Sequence, residues 1–170
     1  MISRVEITRN LNEINNLYNS ARGIKKPNFF AKLAILEASR WIEECIDKIV
    51  LNISNSKLTL LPNKNTYLNE IVKKTSGFEY NRYIRDRLLR TLIGLILTEK
   101  IESVLNIDPL FVQMKASSVI LSQHRNDNAH VFISGTTPSL IAPSVTIQLF
   151  NEIYEGLRVL NRELKKIKFK

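Results

Sequence analysis

The sequence has 170 residues, 44% of them hydrophobic, with only five glycines and five prolines. A chain of this length can bury a substantial core, and so few turn residues favour long helices over a strand-rich fold. The single cysteine, Cys45, excludes a disulfide within the chain and argues against a cysteine-based zinc site. The net charge of +9 favours a polyanionic partner, although a solubilising surface would explain the same excess.

The first residues, Met1 to Asn10, contain charges and no apolar segment, so no signal peptide is expected there. The apolar run from Leu92 to Leu97 is far too short to cross a bilayer. We therefore expect a cytoplasmic protein without a membrane partner.

Apolar residues follow a helical spacing almost throughout the chain. The first amphipathic helix is predicted to start near Val5 and to close near Gly23. Pro27 suits the opening turn of a second helix, whose apolar residues recur every three or four positions as far as Ile53. This helix should end within residues 52–57, and residues 58–66, which include Pro62, are predicted to form a loop.

The second half of the chain begins with a short helix around Tyr67 to Lys74. A long helix is then predicted from about Glu79 to Leu105, and its buried stripe should contain Tyr83, Ile84, Leu88, Thr91, Leu92, Leu95 and Ile96. Asp108 and Pro109 predict the start of the next helix, because aspartate caps helices and proline fits the first turn.

The helix that starts at Asp108 should run to about Ala129, and we expect it to be amphipathic. Residues 133–143 are predicted to form a loop, and a last amphipathic helix should cover residues 144–166. The buried side of the helix that starts at Asp108 should contain Phe111, Met114, Ile120 and Leu121. The simplest architecture is all-α: one domain over residues 1–170, built as a four- to five-helix bundle with short extra helices.

The chemistry-bearing segment lies at the end of that penultimate helix. The only two histidines, His124 and His130, flank a polar run that begins with Arg125 and Asn126. Asn126 and His130 are four positions apart and share a helical face. Arg125 and His130 are five apart, or roughly 140° around the axis. They converge only if the helix end loosens, or if a second copy faces the first across a two-fold axis.

These residue types suit RNA cleavage. A histidine can take the proton from a 2′-hydroxyl, and an arginine can hold the phosphate and stabilise its developing charge. The nucleophile belongs to RNA, so DNA would be refused. No metal-ligand pattern is recognisable, and no metal or cofactor is expected. Spacing alone leaves a structural alternative open, in which His130 ends a helix and Arg125 pairs with a surface carboxylate.

The hexapeptide from Arg125 to His130 resembles the R-x4-6-H signature of the HEPN superfamily, in its common form with Asn after Arg and Ala before His. The order of long helix, loop and final helix is also similar to HEPN domains over roughly residues 28–165. Trp41, Glu43 and Glu44 upstream are similar to its RiboL-PSP group. The resemblance implies a four-helix domain that dimerises and a metal-independent endoribonuclease of toxin–antitoxin, abortive-infection or CRISPR-linked defence systems.

The same resemblance assigns the site residues. Arg125 and His130 would be the catalytic pair in a composite site of the homodimer, and Asn126 would organise the site or contact phosphate. Val131 stands where the RiboL-PSP-like group often has glycine. Phe132 stands where HEPN toxins paired with nucleotidyltransferase antitoxins often have the tyrosine that is modified. Nucleotidylation at that position is therefore not expected.

Candidate RNA-binding residues lie outside the motif. They are His124 and a group of arginines that wraps around the long helix: Arg82, Arg85, Arg87 and Arg90. Trp41 is predicted to pack in the core or a dimer interface. Glu37, Glu43 and Glu44 are predicted to be a solvated face, with one of them as a candidate to orient His130.

The expected partners are RNA, such as tRNA or mRNA, a second copy of the chain, and an antitoxin protein. Two other function classes remain open. One is a catalytically inactive HEPN module that binds RNA or a nucleotide, or that binds a protein. The other is a structural helical subunit.

Overall fold

A computed structural model describes residues 3–23, 25–129 and 140–167, and every regular element within these ranges is helical. This confirms the all-α prediction. The α-helices are α1 (Val5–Ser20), α2 (Lys25–Lys57), α3 (Leu61–Thr66), α4 (Arg90–Leu105), α5 (Pro109–Ala129) and α6 (Pro143–Lys166). Two π-helical segments, Tyr67–Val72 and Tyr80–Leu89, lie between α3 and α4.

The four long helices α1, α2, α5 and α6 pack along one another, and α2 contacts the other three. Their buried faces contribute to one apolar cluster. Trp41 on α2 lies edge-on against Phe150 on α6, with ring centroids 5.2 Å apart. This packing agrees with the predicted core role of Trp41. The second helix was predicted to end within residues 52–57, and α2 ends at Lys57.

The middle region departs from the sequence-based predictions. Residues 58–66 were predicted as a loop, but Leu61–Thr66 is helical, because Pro62 occupies the opening turn, where a missing N–H costs nothing. The π-helical segment Tyr67–Val72 follows directly. It is tied to the next π-helical segment by Tyr67, whose hydroxyl donates to the Leu88 carbonyl at 3.0 Å.

The predicted long helix from Glu79 to Leu105 is divided. Its first part is the π-helical segment Tyr80–Leu89, and α4 is broken at Gly94, with φ 76° and ψ 166°. This left-handed conformation favours glycine. Part of the predicted buried stripe is wrong. Thr91 is exposed, and beyond the break, where the helical phase changes, Leu95 and Ile96 are 51% and 72% exposed.

Helix α5 begins as predicted. The Asp108 carboxylate accepts a hydrogen bond from the Leu110 N–H at 3.0 Å, and Pro109 is the first helical residue. Of the four residues predicted for its buried side, Phe111, Met114 and Leu121 are buried, but Ile120 is 47% exposed, so the prediction is wrong at that position. The buried side mixes Phe111, Met114 and Leu121 with polar residues, namely Ser117, Ser118, Ser122 and Asn128.

Helix α6 confirms the predicted last amphipathic helix. Its close approach to α5 depends on Gly156, where a Cβ atom would lie only 2.1 Å from the Cβ of Met114. The Ser117 hydroxyl on α5 also donates to the Glu152 carboxylate on α6. Glycine and serine thus let the two backbones approach closely. Within the described ranges, no helix is both long and apolar enough to cross a membrane.

Candidate active site

The described part of the predicted motif lies in the last turn of α5. Arg125 is partly buried and Asn126 is exposed, and an Arg125 Nη1 donates to the Asn126 Oδ1 at a long 3.5 Å. Asn128 is only 4% exposed, and its amide donates to the His124 carbonyl at 2.8 Å. Asn128 thus bonds to the backbone of its own helix, one turn earlier. Asparagine side chains often compete with the helical backbone, and here the side chain is accommodated within the last turn.

The guanidinium of Arg125 is held by an acidic residue of α2. Its Nη2 lies 3.1 Å from the Glu43 Oε1, and the two side chains are only 28% and 13% exposed. The Oε1 is buried and no donor is aligned for a hydrogen bond to it, so the contact is one of charge. An ion pair shielded in this way is screened less by solvent than one at the surface.

Glu43 was predicted to belong to a solvated face with Glu37 and Glu44, and for Glu43 that prediction is wrong. It is withdrawn from solvent because α5 packs across α2 at this point, whereas Glu37 and Glu44 remain exposed. The structural alternative foresaw a carboxylate partner for Arg125. The carboxylate exists, but it is largely buried instead of lying on the surface.

A second carboxylate, Asp47, follows Glu43 one turn later on α2. Burial, reinforced by the negative charge of Glu43, raises the pKa of Asp47 from 3.8 to about 6, with Arg40 acting in the opposite direction. Ser39, one turn before Glu43, is also buried. Ser39, Glu43 and Asp47 form a polar row at four-residue spacing within an otherwise apolar helix face. That row is the sequence signal that identifies Glu43.

The second catalytic candidate, His130, lies outside the described residues, as do Val131, Phe132 and the segment Ser134–Ser139. His124, proposed as an RNA contact, lies at the start of the last turn of α5 and is partly buried. The structure therefore places Arg125, Asn126 and His124 on one turn. The predicted convergence of Arg125 and His130 stays a prediction, because His130 lies outside the described residues.

The four predicted RNA-guiding arginines fall into two pairs. Arg85 and Arg90 both pair with Asp86, and Arg85 also reaches Glu102 at 2.9 Å. Arg82 and Arg87 are exposed, and within the described residues no carboxylate pairs with either. Arg82 lies instead over the ring of Tyr83, 5.2 Å from its centroid. Of these four arginines, Arg82 and Arg87 are therefore the better candidates to bind phosphate.

Within the described ranges, no group of three or more His, Cys, Asp or Glu residues is arranged to hold a metal ion.

Comparison with protein-family models, with curated proteins and with solved structures gave no match to this chain. The resemblance to HEPN domains therefore depends on the motif and on the order of the helices.

Proposed function

We propose that the protein is a metal-independent endoribonuclease of HEPN type, acting in a toxin–antitoxin or phage-defence system. The observation that carries the proposal is the arginine of the R-x4-H motif, which is fixed at the end of α5 by a largely buried ion pair with Glu43. Fixing an arginine before the substrate arrives avoids much of the entropy cost of ordering it during the reaction. The net charge of +9 suits an RNA substrate.

The reaction follows from the side chains of the motif. His130 takes the proton of a ribose 2′-hydroxyl, and the 2′-oxygen attacks the adjacent phosphorus. The bond from phosphorus to the 5′-oxygen breaks, and the protonated His130 returns its proton to that oxygen, giving a 2′,3′-cyclic phosphate and a 5′-hydroxyl end. Arg125 donates to the phosphate oxygens, on which negative charge builds during the attack. Asn126, exposed on the same turn, contacts the phosphate or a neighbouring ribose.

A homodimer is part of the proposal, and the exposed face of α5 supports it. Val112, Ala116, Val119 and Gln123 are exposed and follow one another at spacings of four, three and four residues. Such spacing is typical of a helix that pairs with another helix along a seam. Asn126 continues the seam three residues later.

The occupant that fits this seam best is α5 of a second copy. The exposed side chains between Phe111 and Gln123 are uncharged. The one charged residue in that range, Lys115, is partly buried and donates to the Asn106 Oδ1 at 3.2 Å, so the seam positions themselves carry no charge. In a parallel pair related by a two-fold axis, both motifs lie at the same end of the interface. The two motifs would then share one cleft.

The test is incubation of purified protein with total RNA in EDTA. Wild-type protein should cleave RNA, and His130→Ala should not. Asn151→Ala, at an exposed position of α6, is the control and should retain cleavage. If folded wild-type protein leaves RNA intact, the ribonuclease proposal is wrong and the inactive binding module becomes the better explanation.

Toxicity needs a separate measurement. Induced expression of the wild-type chain should stop growth, whereas His130→Ala should allow it. Equal growth of both strains at equal protein levels would contradict the toxin role. It would not contradict the ribonuclease activity, which the cleavage assay tests.

A further inference from the structure

We propose that Glu43 is the positioning residue of the site, holding the Arg125 guanidinium in the orientation that receives phosphate. The role of Arg125 in binding phosphate rests on the proposed ribonuclease function, whereas the contact between Glu43 and Arg125 is a feature of the structure. The Arg125 side chain is only 28% exposed, about as little as that of Arg85 in its pair with Glu102. Its partner comes from a different helix, so the contact fixes Arg125 relative to the body of the bundle.

The contact leaves the arginine able to bind a substrate. A guanidinium has five N–H donors, and the ion pair with Glu43 is made through one of its terminal nitrogens, Nη2. The contact of Nη1 with Asn126, at 3.5 Å, is long enough to be replaced by a phosphate oxygen. One edge of the guanidinium is thus fixed by α2, while donors remain for the other side. A carboxylate that blocked the arginine would instead be expected to engage it with both oxygens.

The surroundings of Glu43 explain why Arg125 stays in place. Glu43 is partly buried, and Asp47, one turn further along α2, is a second acid that interacts with it electrostatically. Arg40 on the same helix pairs with Glu44 at 2.8 Å and not with Glu43. Arg125 is therefore the cation that compensates Glu43. Separating the two would leave a carboxylate with little solvent and an acidic neighbour.

Asp47 has a different role in this arrangement. It adds negative potential near Glu43, but among the described residues no ion pair joins it to a cation. The charged and titratable groups that act on it are Glu43, Glu44 and Arg40 from α2, and it in turn affects Tyr67. The negative charge of Asp47 thus adds to the electrostatic attraction between α2 and Arg125, although Asp47 forms no ion pair with the arginine.

Glu43→Gln is the test variant, since it keeps the shape of the side chain and removes its charge. Glu44→Gln is the control, because Glu44 is the adjacent carboxylate and pairs with Arg40 on the exposed side. Removing a group that orients an active-site side chain typically costs about 10- to 100-fold in activity. We expect kcat to fall about tenfold or more in Glu43→Gln, with KM changed less. Glu44→Gln should match the wild type, and Glu43→Asp should recover part of the loss.

A second measurement separates this inference from the function itself. In wild-type protein, the Arg125 Nε–H resonance should be resolved and show restricted motion by NMR relaxation. In Glu43→Gln it should move towards the position of a free arginine, and in Glu44→Gln it should not change. This result is informative even if the protein cleaves no RNA.

An unchanged Arg125 resonance in folded Glu43→Gln would overturn the positioning role. So would faster cleavage by Glu43→Gln, because that result would mean that Glu43 competes with phosphate for the arginine. Failure of wild-type cleavage together with the expected NMR change would refute the ribonuclease function and leave the positioning of Arg125 intact.

Discussion

Helices α5 and α6 are neighbours of similar length, yet they distribute their residues in opposite ways. In α6 the buried side is almost wholly apolar, and the exposed side is mostly polar or charged. In α5 three serines and Asn128 are buried, whereas Val112, Val119 and Ile120 are exposed. A helix that served only to stabilise the monomer would resemble α6. Under the proposed function, α5 would also pack against a second copy and present the site, and its mixed composition suits both roles.

The largest expected effect concerns the arginines of these two helices. Arg125→Ala should reduce RNA cleavage by about 10²- to 10³-fold, because it removes a donor to the charge that develops on phosphate. Arg158→Ala on α6 is the control, since Arg158 pairs with Glu155 near the surface. Single-turnover rates on a labelled RNA measure both. Arg125→Lys keeps the charge beside Glu43 but lacks the forked donors, and it should remain folded and slow.

Equal rates for Arg125→Lys and wild type would contradict the bidentate role of the arginine. Equal loss in Arg125→Ala and Arg158→Ala would remove the functional distinction between the helices.

The exposed apolar face of α5 gives the second prediction. Val119→Lys should convert the dimer to a monomer, because two charges would be buried against each other at the seam. Val119 is 47% exposed, so the melting temperature at low protein concentration should change little. Asn151→Lys adds the same charge to the exposed side of α6 and should leave the dimer intact. Analytical ultracentrifugation distinguishes the outcomes, and a wild-type monomer at all concentrations would contradict the seam.

A third prediction concerns the contact between the two helices. Gly156→Ala places a methyl group against Met114 and should destabilise the protein by about 1–3 kcal/mol, as overpacking typically does. Asn151→Ala, one and a half turns away on the exposed side, is the control. Urea denaturation measures both free energies of unfolding. An unchanged midpoint for Gly156→Ala would show that α5 and α6 can move apart at little cost.

The smallest expected effect is a change of stability with pH that depends on Asp47, in the polar row on α2. The pKa of Asp47 is raised from 3.8 to about 6 in the folded protein, so the folded state holds this proton more tightly than the unfolded chain does. Stability therefore falls as the pH rises through that interval, and the penalty is complete above it. Asp47→Asn should remove the penalty.

Because Asp47 is only partly buried, solvent screening reduces the effect of this substitution to about 1 kcal/mol. For a chain of this size that corresponds to a melting temperature roughly 2–4 °C higher above pH 6. The difference between Asp47→Asn and wild type should vanish near pH 4. A difference that does not depend on pH would mean that Asp47 is not protonated in the folded protein as proposed.

Local signals predicted the long helices well. Asp108 and Pro109 identify the start of α5 because capping depends on residues next to one another in the sequence. The break at Gly94 was not predictable in the same way. An isolated glycine in a helical pattern is tolerated, and only the packing of the surrounding elements selects its left-handed conformation.

The site shows the same limit. Arg125 and Asn126 were found from the motif, but Glu43 resembled a solvated acid because its burial depends on where α5 crosses α2. Ile120 was assigned to the core because a hydrophobic residue at helical spacing normally lies there. A helix that binds a partner has apolar residues on a second face, and the pattern of one chain does not distinguish the two faces.

The ion pair between Glu43 and Arg125 has a consequence for a chain that is still being synthesised. About 80 residues separate the two, so at about 5–20 residues per second the ribosome needs roughly 4–16 s to make the second after the first. During that interval α2 exists without α5, and the arginine has not yet been added. Until Arg125 has been added and α5 has packed against α2, the Glu43 carboxylate has no cation from α5 beside it, so this part of the site forms only late in synthesis.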